Sequence, residues 1–406
     1  MDKTICELFA GVGGFRLGFE RNSKDWKTVW FSQWEPGKKN QWAHDCYESH
    51  FGKSIDLSGD SEKTCQDISI VRKELIPDHT LLCAGFPCQD YSIAHSLSTS
   101  RGIEGKKGVL WWQIYDVLEK KRPKFCLFEN VDRLLKSPAK QPGRDFGIML
   151  WCLNHLGYSV EWRIVNSADY GSSQRRIRIF IFAFHNDTCL RKKYDLCSAI
   201  FIISKNGLFA KAFPVMKSII KNHYDILYED VFDVQEKFRL HFKNAGYMLD
   251  GKIYMADIFH LTSNQSCLGD VLQHNVDDSY FISDAEIEKF RYLKGSKKIY
   301  RTSKDGYSYM YSEGNMSFPD SLDLPSRTML TSESTMNRST HIILDPDVNK
   351  LRKLTPVEAE RLNGFDDNWT LGMPESMRYF CMGNSLVVPL ITRISDVLNN
   401  IIDDEM

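Results

Sequence analysis

The sequence carries no excess of charge of either sign: 52 Lys and Arg stand against 53 Asp and Glu, a formal net charge of −1 over 406 residues. A strongly basic chain advertises nucleic acid, and this composition does not. A local basic cleft remains open, because steering depends on where charge sits rather than on its sum. No unbroken apolar run reaches membrane-spanning length. No Cys-x-x-Cys pair occurs among the eleven cysteines, and no Cys/His cluster has zinc-site spacing, which leaves no signature of a structural metal or a redox pair. There is no internal repeat and no low-complexity tract. Met1-Asp2-Lys3-Thr4 leads straight into a strand, without the charged, apolar and small-residue regions of a signal peptide. The expectation is a soluble protein of a reducing compartment, whose cysteines are mostly small buried hydrophobes, as in Leu81-Leu82-Cys83 and Phe125-Cys126-Leu127.

What is present is a 42% hydrophobic chain long enough for one large domain and a smaller one. In the first half, short apolar runs alternate with helix-like stretches, the pattern of a doubly wound parallel sheet. Strands are expected at residues 4–9, 28–32, 81–85, 125–129, 160–165 and 177–184. Helices are expected at 15–21, 44–50 and 109–120. From about Asn186 to Asp345 the regularity fades and no clean topology emerges. Near Leu354 it returns: Thr355 is an N-cap, Pro356 the first helical residue and Glu358 the capping-box partner. An apolar helix over 387–398 closes the chain. This order suggests that the C-terminus returns to the first domain, with the irregular middle inserted as a second lobe.

Glycines between the first strand and helix, in Phe9-Ala10-Gly11-Val12-Gly13-Gly14, allow close backbone approach to a ligand, although the third glycine of the dinucleotide fingerprint is missing; a structural turn is the alternative. Glu35, at the end of the second strand, is placed to hold a ribose hydroxyl, with Trp34 beside it to cover an adenine; an exposed polar strand end is the alternative. Asp67 is an adenine contact or a helix cap. Cys88, in Gly85-Phe86-Pro87-Cys88-Gln89-Asp90-Tyr91-Ser92, sits at the mouth of the sheet among Pro and polar residues. That is the place of an exposed nucleophile rather than a buried thiol. Glu129, at another strand end, is a proton donor with a raised pKa or a cap. Arg176 and Arg178, two apart, are expected on one face of a strand beginning there, holding a carbonyl, a carboxylate or a phosphate, or else solvated.

Taken in order, Phe-Ala-Gly-x-Gly-Gly, Gly-Phe-Pro-Cys-Gln, Glu-Asn-Val, Gln-x-Arg-x-Arg (Gln174 to Arg178) and Gly-Asn-Ser (Gly383 to Ser385) resemble the ordered motifs of DNA (cytosine-5)-methyltransferases of the bacterial restriction–modification type. The resemblance spans roughly residues 4–185 and 350–400. It implies an α/β, doubly wound, mostly parallel sheet of the S-adenosylmethionine-dependent methyltransferase fold, with a smaller irregular, β-rich target-recognition domain inserted before the C-terminal helix. The implied domains are 1–185 (catalytic), 186–345 (target recognition) and 346–406 (hinge and return). The implied reaction moves a methyl group from S-adenosyl-L-methionine to carbon 5 of a flipped-out cytosine, with S-adenosyl-L-homocysteine as product and no metal.

In that pattern Cys88 adds to carbon 6 of the base, Glu129 contacts ring nitrogen 3, Arg178 grips the carbonyl oxygen, and Arg176 helps hold the Cys88 loop and the DNA backbone. Phe9, Gly11, Gly13, Gly14, Trp34, Glu35, Asp67 and Ile68 line the cofactor pocket, and Asn384 and Ser385 close its back wall. Gln89, Ser92, Arg327, Thr328 and Arg338 are implied DNA contacts; guanine favours bidentate arginine, and phosphate or solvent is the alternative for each. The chain departs from the family in having Gln33 before Trp34 and Glu35 after it, which leaves the ribose contact open between Gln33 and Glu35. Ser173 stands in place of the family's Pro. The implied partners are duplex DNA and a cognate restriction endonuclease, for a monomer in the cytoplasm. A transfer-RNA cytosine methyltransferase shares the catalytic core but carries a different flank at the nucleophile. A nicotinamide dehydrogenase leaves Pro-Cys-Gln and Glu-Asn-Val unexplained, and a dead relative would have lost Cys88 or Glu129.

Overall fold

The computed structural model describes residues 1–60, 64–86, 110–261, 266–303 and 306–405, the side chains of 220–222 excepted. Cys88, Gln89 and Ser92 lie outside the described residues. The chain divides into two compact units. Unit 1 comprises Met1–Tyr170, Ile177–Ser263 and Leu386–Met406, and unit 2 comprises Gly171–Arg176 and Asn264–Ser385.

Unit 1 is built on a nine-stranded sheet: β1 (Thr4–Leu8), β2 (Lys27–Ser32), β3 (Leu81–Gly85), β4 (Phe125–Val131), β5 (Tyr158–Asn166), β6 (Ile177–His185), β7 (Val215–Asp225), β8 (Ala245–Leu249) and β9 (Lys252–His260), in the order β2-β1-β3-β4-β6-β5-β8-β9-β7. The four strands β2, β1, β3 and β4 pair in parallel, and β6 runs antiparallel between β4 and β5. The parallel strands are continuous apolar runs because helices cover them: TICEL and LLCAG are buried almost throughout. Four helices follow the early strands, α1 (Gly14–Asn22), α2 (Trp42–Phe51), α3 (Leu110–Lys121) and α4 (Arg144–His155). Trp111, Ile114, Val117 and Leu118 form the buried stripe of α3, at the 3–4 spacing that one helix face requires.

The closing helix, Val388–Asp403, begins with Pro389 in its first turn and packs on α1. The contact is tight: a Cβ on Gly18 would lie 2.5 Å from Ile391 Cβ. The sequence places a domain boundary at 186. In the structure the chain from Ile177 to Ser263 lies in unit 1, and β8, β9 and β7 extend its sheet by antiparallel pairing.

Unit 2 is smaller and irregular. Two short antiparallel sheets, Lys297–Thr302 with Ser308–Glu313 and Ile342–Leu344 with Leu351–Lys353, accompany helices at Asp284–Lys294, Pro356–Leu362 and Glu375–Asn384. Thr355 caps the helix at Pro356 and Glu358 completes the capping box, as the sequence indicates. Glu358 also meets the fully buried Arg352 at 2.8 Å, and Arg352 Nε reaches Asp345 at 2.6 Å, so this buried charge is neutralised on both sides.

Candidate functional site

The carboxyl ends of β1 to β4 carry the residues of interest, and the reversal of strand order around β1 is the place where doubly wound sheets open a crevice. After β1, Phe9 takes φ 55°, Gly11 φ 58° and Gly13 φ 89°. This left-handed run turns the backbone sharply before α1. Gly13 is required on two counts, its φ and the 2.5 Å that would separate a Cβ from Phe51. A Cβ at Gly11 would meet nothing within 4 Å, so the turn is open on that side, and Gln33 Oε1 accepts the Gly11 N–H at 2.7 Å. Gln33 is thereby engaged with the turn itself.

Glu35 is placed differently. Its backbone is held by Gln41, whose amide accepts from Glu35 N at 2.7 Å and donates to Glu35 O at 2.9 Å. Its carboxylate Oε2 is buried without a hydrogen-bond partner among the described residues, and burial raises its pKa. A buried acceptor that lacks a donor fits a ligand hydroxyl. Asp67 accepts from Ser69 N at 3.0 Å and Ser69 Oγ at 2.7 Å, the turn-capping geometry, through Oδ1. Ile68 is buried in the core beside Trp30 and Val71. The donors and acceptors around the glycine turn thus fit an adenosyl ligand: an open glycine, a half-buried Trp34 and an unpartnered Glu35 oxygen.

Under the turn lies a group that sequence reading missed. Glu7, fully buried on β1, accepts from Tyr47 Oη at 3.0 Å, and Tyr47 stacks on Phe31 with ring centroids 3.9 Å apart. Burial pushes the Glu7 carboxyl up to about 8, against the opposing pull of Tyr47 and Arg16. A charged residue inside an apolar strand was the available signal.

At the next strand ends, Gly85 and Glu129 are register partners on β3 and β4. Because β6 runs antiparallel to β4, its first residues arrive at the same end, and Arg178 Nε meets Glu129 Oε1 at 2.9 Å. Asn130 is buried, and its Nδ2 donates to Phe86 O at 2.8 Å, which fixes the backbone immediately before Pro87 and Cys88. The middle residue of Glu-Asn-Val therefore anchors the chain that leads to the thiol.

Arg176 does not share a face with Arg178. The strand starts at Ile177, so period-two alternation does not extend back to Arg176. Its guanidinium, 1% exposed, lies in unit 2 and donates to Met329 O at 3.2 Å and Gly383 O at 2.9 Å. Gln174 completes this buckle. Its Oε1 accepts from Met329 N at 2.9 Å, and its Nε2 donates to Asn363 Oδ1 at 3.1 Å. Thr328 Oγ1 donates to Arg175 O at 2.6 Å. The stretch 173–176 therefore ties the 326–331 segment to Gly383, next to Asn384 and Ser385 at the end of their helix. Gly383 has no room for a side chain, since a Cβ would sit 2.4 Å from Thr331 N.

Arg327 and Arg338 are also engaged within unit 2. Arg327 forks onto Asp320 at 3.0 Å with both Nε and Nη2, and its Nη1 donates to Ser339 O at 2.9 Å. Arg338 bonds Glu313 Oε2 at 2.8 Å and the carbonyls of Leu293, Gly295 and Gly314. Among the described residues, no cluster of three or more His, Cys, Asp or Glu side chains could hold a metal ion, and no single helix is long and apolar enough to cross a membrane.

Comparison with known proteins agrees with this arrangement. The family model for C-5 cytosine-specific DNA methylases matches residues 3–400. The type II methyltransferase M.Sau3AI of Staphylococcus aureus is 50% identical over 403 residues, covering 98% of this chain and 95% of that protein. The type II methyltransferase M.NgoBI of Neisseria gonorrhoeae is 30% identical over 391 residues, covering 96% and 91%. Among solved structures, the Entamoeba histolytica methyltransferase EhMeth superposes with a TM-score of 0.54 at 19% identity, covering 100% of this chain and 99% of that one. The S. pombe Dnmt2 methyltransferase does so with 0.56 at 16%, covering 99% and 98%. At those identities the likeness is one of fold. Together with the glycine turn and the paired Glu129 and Arg178, the full-length family match and the 50% relative establish that the chain belongs to the C-5 cytosine-specific DNA methylase family.

Proposed function

We propose that the protein methylates carbon 5 of a cytosine within a specific sequence of duplex DNA through a covalent Cys88 adduct, as the modification partner of a restriction endonuclease. In this reading it acts as a monomer in the cytoplasm of a bacterial cell. The observation that carries the reading is the pairing of Glu129 with Arg178 at the carboxyl ends of β3 and β4, where the chain runs on into Gly-Phe-Pro-Cys-Gln.

The target carbon is inaccessible in a stacked duplex, so the base leaves the helix at a cost of a few kcal/mol. The Cys88 thiolate adds to carbon 6, breaking the 5,6 double bond and making carbon 5 nucleophilic. Glu129, acting in its acid form, donates to ring nitrogen 3 and Arg178 donates to the carbonyl oxygen, so charge pushed into the ring by the thiolate is met at each position, and the Glu129 proton returns when the ring is restored. S-adenosyl-L-methionine, when bound, supplies an electrophilic methyl group and departs as S-adenosyl-L-homocysteine. Carbon 5 then loses its proton to a base, the Cys88–carbon 6 bond breaks, and the aromatic ring returns. The glycine turn at Phe9–Gly14, Trp34, Glu35, Asp67 and Ile68 would hold the cofactor, with Glu35 taking a ribose hydroxyl. Arg176 serves as a positioning residue for the 326–331 segment and the Gly383 turn. No step requires a metal.

The test is a trapped adduct. With fluorine at carbon 5 the last step cannot proceed, so duplex DNA containing 5-fluorocytosine should remain attached to the enzyme in a denaturing gel. The attachment should vanish in Cys88→Ser, which still binds DNA. An adduct that persists in Cys88→Ser would remove this cysteine from the mechanism.

A further inference from the structure

We propose that the ribbon of strands Lys297–Thr302 and Ser308–Glu313 in unit 2 is the element that enters a groove of duplex DNA, with Lys298, Tyr300 and Met310 on its reading face. The inference rests on the methyltransferase reading above and specifies which part of unit 2 meets the substrate.

Among the described residues the two strands form a ribbon with no third strand, registered from Lys297 opposite Glu313 to Thr302 opposite Ser308. Opposed residues share a face. One face carries Lys297, Ile299 and Arg301 with Glu313, Tyr311 and Tyr309, and it is tied down at its base. Lys297 Nζ donates to Leu293 O at 3.2 Å, Glu313 accepts from Arg338 at 2.8 Å, and the Arg301 guanidinium lies 3.6 Å from the Tyr311 ring centroid. The other face presents Lys298, Tyr300, Thr302, Ser308, Met310 and Ser312, all exposed. Tyr300 is 77% exposed and Tyr307, at the turn, 72%.

A two-stranded ribbon is marginal in water, and large apolar side chains clustered on such a projection mark a contact surface. Charge selects the partner. In the described ladder the one carboxylate, Glu313, sits at the base and is already paired. The reading face carries Lys298 beside Tyr300, and Arg301 is exposed on the opposite face where it stacks on Tyr311, a set suited to a polyanion with stackable or methylated edges. Size agrees: six residues per strand at roughly 3.3 Å each span ~20 Å, and a two-stranded ribbon is narrow enough for a major groove of ~12 Å. By contrast Arg327 and Arg338 donate into unit 2 itself, so they support the scaffold from which the ribbon projects.

The experiment uses the full-length enzyme and fluorescein-labelled mixed-sequence duplex DNA, with affinity measured by anisotropy over a salt series. Variants are Tyr300→Ala, Tyr300→Phe, Lys298→Ala and Lys298→Ala/Arg301→Ala, each checked for unchanged melting temperature and S-adenosylmethionine affinity. The expected result is DNA binding about tenfold weaker for Tyr300→Ala, in line with loss of one groove contact, and mostly restored in Tyr300→Phe. The log–log salt slope should fall by about 0.9 for each lost cation that meets a phosphate. Affinity and salt slope equal to wild type in every variant would overturn the proposal. So would a dimer that Tyr300→Ala dissociates while DNA binding holds, because the face would then belong to a second copy. Wild-type enzyme that methylates no DNA cytosine would instead defeat the methyltransferase reading, and is seen before any variant is made.

Discussion

Replacing Arg176 by alanine separates two roles a motif arginine can play. The guanidinium is 1% exposed and bonds two carbonyls, Met329 O and Gly383 O, that are 54 residues apart in the chain (383 less 329). Hydrogen bonds from a charged donor contribute roughly 1.5–3 kcal/mol each, so losing both costs about 3–6 kcal/mol, a substantial fraction of a typical domain's stability. Arg176→Lys retains the charge but presents one ammonium in place of a fork, and should recover about half of that. The assay is urea unfolding together with amide hydrogen exchange. The expected signature is lost protection confined to 326–331 and 382–385, with the Michaelis constants for DNA and cofactor rising more than kcat falls. A variant with wild-type unfolding and exchange but a kcat reduced by orders of magnitude would refute the reasoning, and would make Arg176 a group that touches the reacting atoms.

Glu7 makes stability depend on pH. Its pKa is raised by burial from the ordinary 4.5 to about 8, so the folded state binds the proton more tightly than the unfolded one. Its contribution is therefore full below pH 4.5 and is lost as pH rises toward 8, at no more than about 1.4 kcal/mol per pH unit. Glu7→Gln should flatten the melting-temperature profile between pH 5 and 8, and equal slopes in both proteins would remove Glu7 as the cause. Asn130→Ala leaves Phe86 O without its donor at about 1–3 kcal/mol; turnover should fall far more than thermal stability, and unimpaired turnover would detach Asn130 from the nucleophile's loop. Glu35→Gln should weaken S-adenosylmethionine binding about tenfold or more in calorimetry while sparing DNA affinity. An unchanged cofactor constant would return the ribose contact to Gln33.

The parallel half of the fold was legible because each strand is a short apolar run closed by a turn: Leu81–Gly85 falls where its sequence places it, and the capping box at Thr355 and Glu358 needs only local rules. The stretch after Asn186 was not. The pairing of β7 with β9 is interrupted by irregular register between Val215 and Lys217 and again between Ile220 and Asn222 of β7, which breaks the alternation that a period-two reading depends on. Buried charges hid the rest. Arg163 inside β5 satisfies the carbonyls of Phe209 and Phe213, and Glu161 meets Tyr194 Oη at 2.6 Å, contacts set by partners some 30 to 50 residues away.

At the site, the motifs located Glu129, Arg178 and the glycine turn, since each is fixed by a strand end. They could not show that Arg176 falls one residue before its strand, that Gln33 rather than Glu35 holds Gly11, or that Arg327 has Asp320 within reach. Those facts depend on tertiary partners, which residue type and spacing do not encode.

The central claim is tested most directly by incubating the enzyme with radiolabelled S-adenosylmethionine and, separately, mixed-sequence duplex DNA and transfer RNA, then identifying the labelled base. The account predicts label in 5-methylcytosine released from DNA, and none from Cys88→Ser. Label confined to RNA, or carried on an exocyclic amino group, would contradict it.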